Sequence, residues 1–327
     1  MHLRNITLWL AEWAGYALLI CLFSVAALAA ECSFQRSLQV SGPVNLDVTT
    51  GSGSIDLRSG AASSVQVCGY VKVSNWFTEN PDEILRRIIA NPPIQQSGND
   101  IRIGHIDDPD LRHHVSISYQ LIVPADTSLR SQTGSGDQQI EGIHGPAEVQ
   151  SGSGSLSASD VGGTLRAQTG SGNITLEHIK GNVRAKTGSG SIRASDVAGG
   201  FEGDTGSGHI SLEQSAPGAV RAQTGSGGLE LRGVHGSLEA HTGSGNIEAD
   251  GAPTGGWTLQ TGSGGVRLRF KGDAAFDLDA HTSSGSISVN QPLTVQGTLG
   301  RKDIRGKVRG GGVPVDVQTG SGNIEIE

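Results

Sequence analysis

The sequence predicts an all-β chain: a right-handed parallel β-solenoid with coils of about 18 residues, plus an N-terminal β-rich cap carrying one short helix. Three observations predict it. A Thr-Gly-Ser-Gly signature returns at near-constant spacing, apolar and polar residues alternate with period two between signatures, and large core-filling side chains are scarce. The 327 residues include 50 glycines and only 4% aromatic residues, and the 35% hydrophobic content lies mostly in short runs of Val, Ile, Leu and Ala. Such a chain cannot fill one large core, so burial has to be spread in thin layers along a stack.

The signature begins at Thr50, Thr133, Thr169, Thr187, Thr205, Thr224, Thr242, Thr261 and Thr319, with near copies at Ser151 and Thr282. From 133 to 282 the successive steps are 18, 18, 18, 18, 19, 18, 19 and 21 residues. A period held this closely marks repeated structural units. In the unit Asn182 to Gly200, Val183, Ala185 and Thr187 share one face while Arg184 and Lys186 share the other; past the turn, Ile192 and Ala194 repeat the pattern against Arg193. Leu165, Ala167, Ile174 and Leu176 take the same places in the preceding unit. Each unit holds two short strands with one buried face, too thin to fold alone, so it stacks on the next copy in parallel register.

The corners follow from the same phase. Thr169-Gly170-Ser171-Gly172, Thr187-Gly188-Ser189-Gly190 and Thr205-Gly206-Ser207-Gly208 are structural turns, with glycines expected to supply φ > 0. A second corner is marked by Asp160-Val161-Gly162-Gly163, His178-Ile179-Lys180-Gly181 and Asp196-Val197-Ala198-Gly199, its apolar member plugging a third short side. The threonines at 169, 187, 205, 224 and 242 are expected to form an inward file, each hydroxyl bonding the next.

Residues 31–130 depart from the period and form the cap and first coils; residues 131–327 form the repeat. The cap holds β-like runs and a helix over Pro81 to Ala90, with Asn80 as N-cap, Pro81 at the first helical position, Glu83 completing a capping box, and Ile84, Leu85, Ile88 and Ile89 as the apolar stripe. At the other end, Glu325 and Glu327 are expected to charge the last edge strand and discourage end-to-end growth.

The N-terminus carries Arg4 and an 18-residue apolar run from Trp13 to Ala30 that ends in small residues, which reads as a signal peptide over residues 1–30. The run is near the lower limit for spanning a bilayer, so an uncleaved membrane anchor is the alternative. The chain is thus expected to be exported, to the periplasm, the cell surface or the medium. Cleavage leaves Cys32 and Cys68, an even pair in an exported chain, and a disulfide between them closes a loop of about 35 residues, adding on the order of 3 to 4 kcal/mol. Two buried free thiols are the alternative. The net charge of −8 argues against nucleic acid as a partner.

Neither catalytic nor cofactor-binding residues emerge. The outward acids Glu177, Asp204, Glu213, Glu230 and Glu239 are dispersed over coils and faces, whereas glycosidic enzymes gather paired carboxylates in one groove. Asp160 and Asp196 share a phase and are expected to satisfy turn backbone. The serines of the Gly-Ser-Gly triplets recur without a recurring His to activate them. The segment His105 to His114 is the best metal candidate, but a polar loop explains it equally, and no metal is expected. Calcium of the Gly-Gly-x-Gly-x-Asp type is disfavoured, because Asn, Ser, Gly or His usually follows the signature. Of the two tryptophans beyond the signal, Trp76 and Trp257, neither forms an obvious sugar platform.

With the Thr-Gly-Ser-Gly cadence, the run Tyr119 to Pro124 (YQLIVP) and the tail Thr282 to Val289 (TSSGSISV) in view, the chain resembles the bacterial "putative adhesin" family of domains of unknown function. The resemblance implies a β-solenoid envelope or secreted protein and brings no catalytic residues. The expected function is that of a structural or interaction protein, adhesin-like, presenting a repetitive polar surface to an envelope or extracellular surface, a polysaccharide or another protein. A carbohydrate-active lyase or glycosidase is the alternative, and ice or mineral binding by an outward Thr array is a remoter one.

Overall fold

A strand with one buried face must find a neighbour for its backbone as well as for its side chains, and here both are supplied by the next copy of the repeat. The computed structural model describes residues 32–60, 63–74, 80–106, 115–295 and 300–327, and within it Ser33–Glu327 forms one unit. The proposed signal segment lies outside the described residues. Among the described residues the fold is all-β, with 27 strands hydrogen-bonded into one continuous, solenoid-like sheet and one short helix.

In the regular part each strand pairs in parallel with its equivalents on either side. Leu165–Thr169 lies between Ala147–Ser151 and Val183–Thr187, with Leu165 opposite Val183 and Thr169 opposite Thr187. Past the signature, Ile174–Ile179 lies between Leu156–Val161 and Ile192–Val197. The alternation read from the sequence is the burial pattern observed: Val183, Ala185 and Thr187 are buried and Arg184 and Lys186 exposed. Size is balanced within a layer: where Phe201 replaces the usual Val or Leu, Gly203 replaces the usual Ala, and a Cβ there would meet the Phe201 ring at 2.7 Å. Val161, Ile179 and Val197 fill the second corner, each fully buried.

Ile192→Asp is expected to disrupt its coil, because an unpaired carboxylate would enter a fully buried position. Arg193→Asp, on the exposed face of the same strand, is expected to move the melting temperature little. Equal destabilisation in thermal melts of the two variants would overturn the alternation.

The two ends depart from simple stacking, and both depart in the same way. At the N-terminal end Val44–Thr50 and Ile55–Gly60 form a coil in register with Thr127–Thr133 and Gln138–Glu141. The intervening chain covers the outer side of that coil: Asp100–Ile103 pairs with Val44–Thr50, and Val115–Pro124 with Ile55–Gly60. Antiparallel strands Ser64–Val73 and Phe34–Gln39 complete the cover. At the C-terminal end, strand Val313–Ser321 enters between Ile247–Ser263 and Phe276–Ser284, and Ile324–Ile326 enters between Val266–Phe270 and Ile287–Val289. The expectation that Glu325 and Glu327 sit on an edge strand is therefore wrong. Their strand is interior, and the two glutamates pair with Arg267 at 2.7 Å and Arg269 at 3.2 Å. The Arg267 guanidinium, bonded to the Glu325 carboxylate, holds it below its ordinary range.

The helix spans Pro81–Ala90 as expected, with Pro81 in its first turn, but its capping differs. Asn80 makes no side-chain cap hydrogen bond, and of the apolar stripe only Ile88 is buried, while Ile84 packs against the core from a half-buried position. Asp82 and Glu83 in the first turn of the helix are exposed, so water can satisfy the terminal N–H groups.

Candidate ligand-binding groove

The Thr-Gly-Ser-Gly residues are placed at the corner, with the threonines inside. Thr50, Thr133, Ser151, Thr169, Thr187, Thr205, Thr224, Thr242, Thr261, Thr319 and Thr282 form an unbroken inward file in that spatial order. The inward file removes the ice-binding reading, which needs hydroxyls facing water. The hydroxyls do not bond each other, contrary to expectation. Thr187 Oγ1 donates to the carbonyl of Gly172 on the preceding coil at 2.9 Å and accepts the N–H of Gly190 at 3.2 Å; Thr169 and Thr205 do the same one coil either way.

The glycines are required for a different reason than φ. None of Gly170, Gly172, Gly188, Gly190, Gly206 and Gly208 has a positive φ. Instead, a Cβ on Gly190 would lie 1.9 Å from the Gly172 carbonyl oxygen, the same atom that accepts the Thr187 hydroxyl. Thr and the last Gly of each signature are thus two halves of one inter-coil contact. Ser171, Ser189 and Ser207 are exposed at the corner. The residue after each signature ties coils together too: Asn173 Oδ1 accepts the Ser191 N–H at 2.9 Å, and Asp137 Oδ1 the Ser155 N–H at 2.8 Å.

Left-handed backbone appears at the second corner, on Gly142 and Gly233 with φ of 77° and 67° and also on residues other than glycine. Asp160, His178 and Asp196 have φ of 55°, 54° and 53°. Asp160 and Asp196 do not bond turn backbone as expected; they flank the exposed His178 ring, at 3.6 Å from Nδ1 and 3.9 Å from Nε2. Trp257 is fully buried, its Nε1 donating to the Gly236 carbonyl, so it is core and no sugar platform. Cys32 and Cys68 are both disulfide-bonded. His113, His114 and the three acids of the metal candidate segment, like Trp76, lie outside the described residues.

The outward side chains of the strands that precede the signature line a concave groove of about 1820 Å³ running across the coils. Its central file reads Arg102, Asp47, Arg130, Glu148, Arg166, Arg184, Glu202, Arg221, Glu239 from coil to coil, each residue directly opposite the next. Ion pairs cross between coils along it: Arg184–Glu202 at 3.1 Å, Arg221–Glu239 at 3.0 Å and a longer Arg166–Glu148 at 3.9 Å. Beside it Lys186 pairs with Asp204 at 2.9 Å. Such exposed pairs each add about 0.2–1 kcal/mol. Of the acids that the sequence scatters over different coils, Asp204 and Glu239 therefore come to rest beside bases of the preceding coil, while Glu230 pairs with Arg232 of its own strand. That file was missed in the sequence because its members are 18 or more residues apart and become neighbours only when the coils stack.

A family model described as Toastrack DUF4097 matches residues 162–327, about half of the chain. The chain belongs to the Toastrack DUF4097 family. The groove of this Toastrack chain lies partly within the matched residues, from Gly162 onward, and continues toward the N-terminal end. Solved structures similar to it include a candidate lipid-binding protein from Parabacteroides distasonis, 12% identical with a TM-score of 0.45, covering 91% of this chain and 98% of that one. Another is a candidate adhesin from Bacteroides fragilis, 13% identical with a TM-score of 0.36, covering 90% and 96%. A third is a candidate cell adhesion protein from Clostridium sporogenes, 10% identical with a TM-score of 0.19, covering 89% and 97%. None of the curated proteins matches the sequence.

Proposed function

We propose that this Toastrack chain is an exported, non-catalytic interaction protein of the cell envelope, adhesin-like in that it holds an elongated partner along its groove. The observation that carries this reading is the groove itself. Its volume of about 1820 Å³ exceeds the roughly 300–1,000 Å³ of a small-molecule pocket, and it runs along the stack, as an extended polymer requires. The carboxylates of its central file are separated by arginines, an arrangement suited to holding polar groups and ill suited to a general acid–base pair. In this reading residues 1–30 are the export signal, residues 31–130 cap a right-handed winding of about 18 residues per coil, and the corner motifs are structural.

The test is retention of the purified protein on immobilised polysaccharides: neutral dextran, polygalacturonate and dextran sulfate. Retention on at least one, weakened by Arg221→Glu in the groove and untouched by Arg193→Glu on the strand past the signature, away from the groove, is expected. Retention on none, retention indifferent to Arg221→Glu, or release of new reducing ends from a bound chain would overturn the reading.

A further inference from the structure

The central file of the groove alternates in sign from Arg102 to Glu239 except at one step. Arg166 lies directly opposite Arg184, and no carboxylate stands between them. Like charges directly opposite one another on a sheet are destabilising, while opposite charges stabilise, so cross-strand energetics alone would continue the alternation. Both arginines lean on the acid of the coil beyond, Arg166 on Glu148 at 3.9 Å and Arg184 on Glu202 at 3.1 Å, and each guanidinium carries five donors. Lys186, two residues from Arg184 on the same face, is taken up by Asp204 at 2.9 Å, so the unmatched pair of cations at this step is Arg166 and Arg184.

We infer that this step is a binding site for the carboxylate of an acidic polysaccharide, a uronate chain, laid along the groove with one carboxylate between Arg166 and Arg184. The inference rests on the groove reading above. An anion there completes the sequence Glu148, Arg166, ligand, Arg184, Glu202 with strict alternation. Guanidinium takes carboxylate in planar, bidentate geometry, and the rungs the protein supplies to this file are carboxylates already, which favours uronate over sulfate. A sugar chain is favoured over an acidic protein partner by what flanks the step. Thr164 and Asn182 offer hydroxyl and amide groups to sugar hydroxyls, with the Asn182 Oδ1 held by the Gly200 N–H at 2.9 Å. No exposed aromatic anchor of the kind protein interfaces use lines it. The one large exposed hydrophobic residue among those described, Ile122, is on Val115–Pro124, away from the groove.

Calorimetric titration of the full protein with oligogalacturonate, a neutral dextran oligosaccharide, dextran sulfate and poly-aspartate tests the assignment. Oligogalacturonate is expected to bind tightest, to raise the melting temperature, and to bind at least about tenfold more weakly to the double variant Arg166→Gln/Arg184→Gln. Arg193→Gln should leave binding unchanged, and the affinity should fall as salt rises. Thermal melts of the double variant without ligand report whether it folds, and the single variants Arg166→Gln and Arg184→Gln carry the test if it does not. Equal binding of oligogalacturonate to wild type and double variant overturns the site, as does tighter binding of dextran sulfate or poly-aspartate. Binding of neutral dextran that is lost in Arg221→Glu but kept in the double variant overturns the anion site and leaves the groove reading standing. Absence of binding to every glycan defeats both.

Discussion

Deleting Val313–Glu327 is expected to unravel the C-terminal end of the stack rather than merely shorten it. Val315, Val317, Ile324 and Ile326 are all fully buried, and at about 1.5–3 kcal/mol for each buried aliphatic side chain their loss removes about 6–12 kcal/mol. That is comparable with the whole stability of an ordinary domain. The deletion also leaves unpaired the facing edges of Ile247–Ser263 and Phe276–Ser284, between which the segment lies. The cover formed by Phe276–Ser284 and Asp303–Val308 then has nothing beneath it. Repeat stacks transmit damage mainly to nearest neighbours, so amide exchange should show lost protection over residues 257–308 while strands from Ala147 to Thr224 stay protected. Unchanged protection over 257–308 would mean that the neighbouring coils close directly on each other, Thr261 meeting Thr282.

Gly190→Ala is expected to be among the most damaging single-methyl changes in the repeat. The new Cβ would fall 1.9 Å from the Gly172 carbonyl oxygen and 2.5 Å from its carbon, both backbone atoms, while the Gly190 carbonyl is itself held by Thr205 from the other side. Neither coil can move away without breaking a Thr hydrogen bond. Overpacking of this kind costs about 1–3 kcal/mol, and the fixed backbone places Gly190→Ala at or above the upper end. Gly51→Ala, in the first copy of the same signature, meets nothing within 4 Å and is expected to be near neutral. Thermal or denaturant unfolding of the two variants checks the claim, and equal effects would show that the requirement for glycine is conformational rather than steric.

The comparison of those two glycines shows where sequence reading ends. Thr50-Gly51-Ser52-Gly53 and Thr187-Gly188-Ser189-Gly190 are the same four residues, and the sequence assigns them the same turn. Gly51 is the first glycine of its signature and Gly190 the last of its own; at the position equivalent to Gly51 a Cβ on Gly188 would lie 2.4 Å from the Gly170 carbonyl oxygen, so the tolerance of Gly51 comes from having nothing stacked over it, which is a property of the stack. Likewise the signature glycines from Gly170 to Gly208 lack the expected φ > 0, while Asp160, His178 and Asp196 share it with Gly142 and Gly233 at the second corner, because the stack demands contact at one corner and reversal at the other. The inward Thr file was legible, since Thr187 shares the phase of Val183 and Ala185; its hydrogen-bond partners were not, since they depend on the vertical offset between coils.

By itself the sequence determined the all-β class, the alternation that buries Val183 and Ile192 and exposes Arg184 and Arg193, and the helix at Pro81–Ala90. These are local matters of period and side-chain chemistry, and a single unit contains the information. Only the tertiary structure decided that the last strands, Val313–Ser321 and Ile324–Ile326, lie inside the stack, because the position of a coil depends on which faces remain unfilled and not on chain order. It alone also set Arg166 beside Arg184 and Glu239 beside Arg221: the groove is written across coils, one residue from each, and has no existence along the chain.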